Sequence, residues 1–131
     1  MALYCVYRFY CCCNHYHYPD HHISVESLDK VYELDPVTNS WTEVSAMMTA
    51  RRDHACLFIQ LEDSSGVLVT GGLGKDDEVL GSAEFYDVKT RQWQQVSGLK
   101  LARTEHSMSL VSGLPTVIGG VNGRMRNTLK T

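Results

Sequence analysis

The fold of this chain is decided by residues 35–54, which read DPVTNSWTEVSAMMTARRDH and recur 52 residues further along the sequence. Residues 87–106 read DVKTRQWQQVSGLKLARTEH, so eight of the twenty positions are identical in the two copies. Both tryptophans of the chain take part in the match, as Trp41 and Trp93. Self-similarity at a period of about 50 residues indicates an array of like structural units, each built on the same plan.

Paired glycines mark the second half of each unit. Gly71-Gly72 corresponds to Gly119-Gly120 at a shift of 48, because the connection at residues 60–66 is replaced by a shorter one at residues 112–115. Short apolar runs at residues 54–61, 67–70, 83–88 and 92–96 alternate with polar turns. This pattern predicts four strands in each unit, and helical periodicity is absent from Val31 onward.

Composition places the chain among folded globular proteins. It has 131 residues, of which 44% are hydrophobic and 21% charged, and a formal net charge of −3. A chain without an excess of positive charge binds phosphate groups poorly, so we expect no nucleic-acid partner. The longest apolar runs fall short of the ~18 residues that a transmembrane helix needs, so we expect no membrane partner.

Residues 1–30 differ from the rest, and we predict an irregular segment rich in Cys, His and Tyr. Cys11–Cys13 and the nearby histidines (His15, His17, His21 and His22) follow none of the usual zinc spacings, so we predict no metal and no cofactor. A metal-binding N-terminus stays an alternative. The first residues lack the basic and apolar regions of a signal peptide, and adjacent cysteines rarely pair with each other. We therefore expect a cytoplasmic protein.

The order Arg-x-x-His, apolar strand, Gly-Gly, strand ending in Tyr-Asp, turn and Trp resembles the kelch repeat. The full pattern is formed by Arg51, His54, Gly71, Gly72, Tyr86, Asp87 and Trp93. Half-copies contribute Asp35 and Trp41 before it, and Arg103, His106, Gly119 and Gly120 after it. The first half-copy departs from the family pattern, because Leu34 stands where Tyr is expected. The resemblance implies structural roles for the tryptophans, for Tyr86 and Asp87, and for the glycine pairs.

The resemblance also implies an all-β fold of four-stranded antiparallel kelch blades, arranged as an incomplete β-propeller. We expect a half blade over 31–45, a full blade over 50–97 and a half blade over 102–120, with 121–131 as a truncated remainder or tail. About two blades cannot close a ring that typically has ~4–8. The remaining blades are therefore expected from the full-length chain, of which this is a fragment, or from another chain.

In function, the resemblance implies a non-enzymatic module that binds a protein partner. The finer expectation is substrate recognition for an adaptor of a cullin-type ubiquitin ligase, as in kelch chains with a BTB domain. Binding to actin or the cytoskeleton is an alternative, and so is a propeller enzyme. Against the enzyme, no set of nucleophile, base and orienting group is visible in the sequence.

Partner contacts are expected on the loops that enter each blade and follow the glycine pair. The candidate residues are Arg51, Arg52, His54, Lys75, Asp76, Asp77, Arg103, Thr104 and His106. Arginine at such a surface pairs with acidic peptides through bidentate hydrogen bonds. Alternatively, the recurring Arg and His tie one blade to the next. Arg52 does not recur, since its counterpart is Thr104, and it is therefore a better candidate for partner contact than Arg51.

Overall fold

The computed structural model of the chain describes residues 3–5, 9–11 and 26–123. Its named elements are all β-strands. In chain order they are β1 (Leu3–Cys5), β2 (Phe9–Cys11), β3 (Val31–Asp35), β4 (Ser40–Val44), β5 (Ala55–Gln60), β6 (Ser65–Thr70), β7 (Ala83–Asp87), β8 (Gln92–Val96), β9 (Thr104–Val111) and β10 (Leu114–Val121). In the described part of the chain, no helix is long and apolar enough to cross a membrane.

The strands form three sheets in which each strand pairs with its neighbour in sequence. The first sheet has the order β1-β2-β3-β4, the second β5-β6-β7-β8, and β9 and β10 form a hairpin. Every pairing is antiparallel. The predicted all-β fold of four-stranded antiparallel sheets is confirmed.

The first sheet is larger than the half blade predicted over 31–45. β2 pairs with β3, so that Phe9 lies opposite Glu33 and Cys11 opposite Val31. An unpaired strand edge leaves backbone donors and acceptors unsatisfied, and aromatic and apolar residues of the kind found in β2 favour strands. The segment 1–30, which was expected to be irregular, thus contributes the short strands β1 and β2 to this sheet.

The turn that closes each outer hairpin explains why an aspartate recurs there. Asp35 Oδ1 accepts the backbone N–H of Val37 at 2.8 Å, and Asp87 Oδ1 accepts that of Lys89 at 2.7 Å. Aspartate stabilises a turn in this way because its short side chain reaches the backbone two residues further on. The repeated Asp thus fixes the register between the third and fourth strands of both four-stranded sheets.

The first two sheets pack face to face around a small apolar core. This core consists of Val31, Met47, Val67, Val69 and Tyr86, with Trp93 packed at its margin. The rings of Tyr86 and Trp93 lie 5.2 Å apart between centroids. Trp93 Nε1 donates to the carbonyl of Ser45, which follows the first sheet, at 2.7 Å. The second tryptophan of the repeat therefore joins two neighbouring sheets, whereas Trp41 is 51% exposed.

The first strands of the three sheets lie side by side. β5 contacts both β1 and β9, which are the first strands of the sheets before and after it. This arrangement is typical of a propeller, in which sheets are placed radially and their first strands surround the centre. The loops that enter each sheet consequently come together at one end of the arc.

Candidate functional site: the blade junctions and the loop surface

Arg51 lies just before β5 and is enclosed at the junction of the first two sheets. Its Nη1 donates to the carbonyl of Gly71 at 2.8 Å, and its Nη2 to Glu84 Oε2 at 2.6 Å. The side chains of Arg51 and Glu84 are 0% and 2% exposed. Glu84 Oε1 also accepts the N–H of Met48 at 2.6 Å. A buried ion pair is tolerated only with such additional hydrogen bonds, so this arginine has a structural role.

Two buried histidines occupy equivalent positions before β5 and within β9. The Thr70 hydroxyl, at the end of β6, donates to Met108 Sδ at 3.1 Å, so His106 Nε2 donates to the hydroxyl oxygen at 2.9 Å. Burial, the charge of Arg51 and the neighbouring His106 lower the pKa of His54 to about 3. Burial lowers the pKa of His106 as well, followed by the charge of Arg103. Both imidazoles are therefore neutral at neutral pH, and His106 links β6 to the next sheet.

The glycine pair after β6 makes close contacts on two sides. Gly72 has a φ of +95°, and a Cβ there would overlap the carbonyl oxygen of Arg52, which lies just before β5. A Cβ on Gly71 would lie 2.4 Å from the carbonyl oxygen of Arg103, which accepts the N–H of Gly72 at 2.9 Å. Only glycine fits both the backbone angle and the contact. The pair therefore forms part of the seam between the second sheet and β9.

Arg52 supports a loop and offers little surface of its own. Its side chain, 11% exposed, forms an ion pair with the carboxylate of Asp77. It also donates to the Ser27 hydroxyl at 3.0 Å, and the single hydrogen of that hydroxyl is shared between the carbonyls of Leu73 and Gly74, each 2.9 Å from the oxygen. Through its ion pair with Asp77 and its hydrogen bond to Ser27, Arg52 therefore connects the loop after the glycine pair to the segment before β3. The prediction that it is the better candidate for partner contact is not supported by this placement.

The chain is similar in sequence to several known proteins. It is 38% identical over 90 residues to an F-box/kelch-repeat protein of Arabidopsis thaliana, a match covering 69% of the chain and 23% of that protein. It is 34% identical over 96 residues to Kelch-like protein 34 of Homo sapiens, covering 72% of the chain and 14% of that protein. The chain belongs to the kelch-repeat family.

A third relative agrees with this assignment. Kelch-like protein 7 of Rattus norvegicus is 29% identical over 101 residues, which is 77% of the chain and 16% of that protein. The chain thus spans less than a quarter of the length of each of these three relatives. No family model matches it. We call the sheet β1–β4 blade 1, the sheet β5–β8 blade 2 and the hairpin β9–β10 blade 3.

Four of the predicted contact residues lie inside the kelch blades and their junctions. They are Arg51, His54, Thr104 and His106, each with less than a tenth of its surface exposed. Thr104, like the others, bonds within the fold, since its Oγ1 donates to the carbonyl of Asp53 at 3.2 Å. Burial leaves these four side chains little surface to offer a partner. Such burial is what the alternative expects of the recurring Arg and His, which would tie one blade to the next, and partner contact through them stays a prediction.

The exposed candidates lie on the loop between β6 and β7. Lys75, Asp76 and Asp77 project from it into solvent. Both sides of the loop are anchored, because Leu73 exchanges backbone hydrogen bonds with Arg52 at 2.8 and 3.0 Å and Leu80 N–H donates to Gly72 at 2.8 Å. The loop is therefore a charged surface on a rigid support, and contact with a partner through these three residues stays a prediction.

Sequence reasoning missed two residues on which this site depends. Glu84 is a charged residue within the apolar third strand of blade 2. A charged residue in an apolar strand is rarely buried without a partner, so its position could have indicated a buried ion pair. Ser27 is almost fully buried beneath the loop, although it lies in a segment predicted to be irregular. Nothing in the local sequence marks it, since its partners are backbone carbonyls 46 and 47 residues away.

Cysteine and histidine chemistry is limited within the described part. No group of three or more His, Cys, Asp or Glu residues there is placed to hold a metal ion. The N-terminal cluster of cysteines and histidines named above lies outside the residues whose side chains are described. Cys56 on β5 is disulfide-bonded, which the sequence interpretation did not predict.

Proposed function

We propose that this chain is a non-enzymatic interaction module, part of a kelch propeller that binds a protein partner through its loop surface. The observation that carries the proposal is the exposed Lys75–Asp77 loop, which is supported by the partly buried Arg52 and the buried Ser27. A binding surface gains affinity from such preorganisation, because little conformational entropy is lost when the partner docks. The histidines that recur in both copies, His54 and His106, serve blade junctions, which favours a non-enzymatic role.

The finer proposal is that the module recognises substrates for an adaptor of a cullin-type ubiquitin ligase in the cytoplasm. The proposal is supported by the names of the relatives, which are F-box/kelch-repeat and Kelch-like proteins. The match covers 23% and 14% of those two proteins, so the other domains of such an adaptor would lie outside the matched residues. Remaining blades are supplied, in this proposal, by a longer chain or by another chain.

The test is affinity capture with two matched double variants. Lys75→Ala with Asp76→Ala alters the loop surface, and Lys89→Ala with Thr90→Ala alters an exposed turn at the opposite end of blade 2. A protein captured by the unmodified chain is expected to be lost with the first variant and retained with the second. Equal capture by both variants would place the partner elsewhere. Ubiquitylation of the captured protein, dependent on the same loop, tests the finer proposal.

A further inference from the structure

Cys56, on the first strand of blade 2, is joined to another cysteine by a disulfide bond. Its side chain packs against the core between blades 1 and 2, and the residue is partly exposed. The chain has four other cysteines, and all of them precede β3; they are Cys5, Cys11, Cys12 and Cys13. The bond therefore joins blade 2 to the part of the chain that contains β1 and β2.

Strand register shows which residue of blade 1 corresponds to which residue of blade 2. Cys11 ends β2 and lies opposite Val31 on β3. Thr70 ends β6 and lies opposite Ala83 on β7. Val31 and Ala83 each begin the third strand of their blade and are 52 residues apart in the sequence. Cys11 therefore holds the position in blade 1 that Thr70 holds in blade 2.

The junction between blades 2 and 3 shows what that position contacts. The Thr70 hydroxyl donates to Met108 Sδ on β9 at 3.1 Å. Met108 is the equivalent of Cys56, because it follows 52 residues later and both lie on the first strand of a blade. The two junctions are built alike, since β5 contacts β1 as well as β9. At the junction of blades 1 and 2, the corresponding pair of positions is Cys11 and Cys56.

We infer that Cys11 is the disulfide partner of Cys56, and that this bond is a redox switch joining blade 1 to blade 2. Cysteine at both positions replaces the threonine–methionine contact of the next junction with a pair that can form and break a covalent bond. In the cytoplasm, the location proposed above, thiols are kept reduced, and disulfides that do form are mostly transient or redox-sensing. The partial exposure of Cys56 lets a small thiol or disulfide reach the bond.

Formation of the bond takes two exchange steps with a small disulfide such as glutathione disulfide. One protein thiol loses its proton, and its sulfur attacks the small disulfide, which forms a mixed disulfide and releases one glutathione thiolate. The second protein thiol loses its proton, and its thiolate displaces the other glutathione from the mixed disulfide. The protein thereby loses two electrons and two protons, and glutathione disulfide is reduced to two glutathione thiols.

The strands that the bond holds are short. β1 and β2 have three residues each, and β2 pairs with β3 at three positions. Few backbone hydrogen bonds oppose their separation from the sheet, so we expect local opening there to cost less free energy than opening of blade 2. In the oxidised chain the bond keeps β2 beside β5 and blade 1 complete. Reduction should release β1 and β2, while β3–β8 stay paired.

The pairing is tested by digesting the oxidised chain with trypsin after its free thiols have been alkylated, followed by mass spectrometry without reductant. The expected product is a disulfide-linked pair of peptides 9–30 and 53–75, which carry Cys11 and Cys56. Cys11→Ser should abolish this product, whereas Cys12→Ser and Cys13→Ser should retain it. A link to peptide 1–8, which carries Cys5, or a link that survives Cys11→Ser, would overturn the pairing.

The switch is tested on the unmodified chain in buffers of oxidised and reduced glutathione, so it needs no substitution that could prevent folding. The oxidised chain should unfold at a temperature about 8 °C or more higher, because the cross-link restricts the unfolded chain. Reduction should accelerate hydrogen exchange of the β2 amides by a larger factor than that of the β7 amides. Cys56→Ser should abolish both differences, and the matched Cys13→Ser should preserve them.

Two results would overturn the switch. One is a Cys56 bond that persists in millimolar reduced glutathione while the chain is folded, since such a bond is a permanent structural link. The other is an equal Tm and equal exchange of the β2 amides in the two buffers. The Lys75→Ala, Asp76→Ala variant should show the same redox response as the unmodified chain, so failure of the proposed loop surface and failure of the switch are distinguishable.

Discussion

Loss of the buried ion pair of blade 2 should lower the free energy of unfolding most strongly. Replacing Glu84 with Gln keeps the side-chain volume but removes the one charge that compensates Arg51 among the described residues, and Arg51 is 0% exposed. The glutamine also cannot accept all three donors that Glu84 accepts, from Arg51, Met48 and Thr49. Breaking one partner of a buried pair typically costs ~3–5 kcal/mol, because a charge is left buried without compensation.

The exposed ion pair between Glu33 and Arg91 supplies a matched control. Its atoms lie 3.1 Å apart, but the two side chains are 27% and 56% exposed. Solvent screens such a pair, so Glu33→Gln should change the free energy of unfolding by ~0–1 kcal/mol. The two variants remove the same charge, from a buried site in one case and from the surface in the other.

The assay is urea unfolding followed by tryptophan fluorescence, since Trp93 packs beside Tyr86 at the core of the blade junction. Glu84→Gln should lower the unfolding midpoint by about 1 M or more, given an m-value of ~1–3 kcal/mol/M for small proteins. Replacing both partners, by Arg51→Met with Glu84→Leu, should restore much of the loss, because apolar substitutes leave no buried charge. A midpoint for Glu84→Gln no lower than that for Glu33→Gln would refute the reasoning.

Three further predictions concern the same junctions. Gly72→Ala should destabilise the chain by more than Gly113→Ala in the same unfolding assay, because both have positive φ but only Gly72 lacks room for a Cβ. Thr70→Val should cost ~1–3 kcal/mol, since it leaves the Nε2–H of His106 buried without an acceptor. Unfolding titrations should show stability falling as pH drops below about 6.5 toward 3, because His54 binds a proton more readily in the unfolded chain than in the folded one. The check is a shallower profile for His54→Asn, which keeps the contribution of His106.

The sequence alone predicted the strands of blade 2, because its turns and apolar runs are local signals. Asp87 is the last residue of β7 and Trp93 is the second residue of β8, so the two flank the turn of one hairpin. Their spacing therefore predicts this hairpin without information from the rest of the chain. Blade 1 was predicted only in part, since β1 and β2 have three residues each and are too short to show a period of two.

The roles of the charged residues were harder to predict than the strands. A motif match gives the type and spacing of an arginine but not its burial, and burial here depends on Glu84, 33 residues away from Arg51. Arg52 shows the same difficulty in a different form. This position holds Arg52 in one copy and Thr104 in the other, which is the variation expected of a contact residue. Arg52 nevertheless supports the loop from beneath, because it bonds to Ser27 and forms an ion pair with Asp77.

Recurrence within this chain therefore separates junction residues from surface residues by a physical rule. In stacked repeats, stability comes largely from the interfaces between neighbours, so each copy must repeat the groups that form them. Arg51, His54 and the glycine pair fulfil that condition and are buried between sheets. Arg103 repeats the chemistry of Arg51, but its carboxylate counterpart is not among the described residues. The same rule that makes Arg51 structural therefore predicts a junction role for Arg103, which donates to the carbonyl of Gly119 as Arg51 donates to that of Gly71.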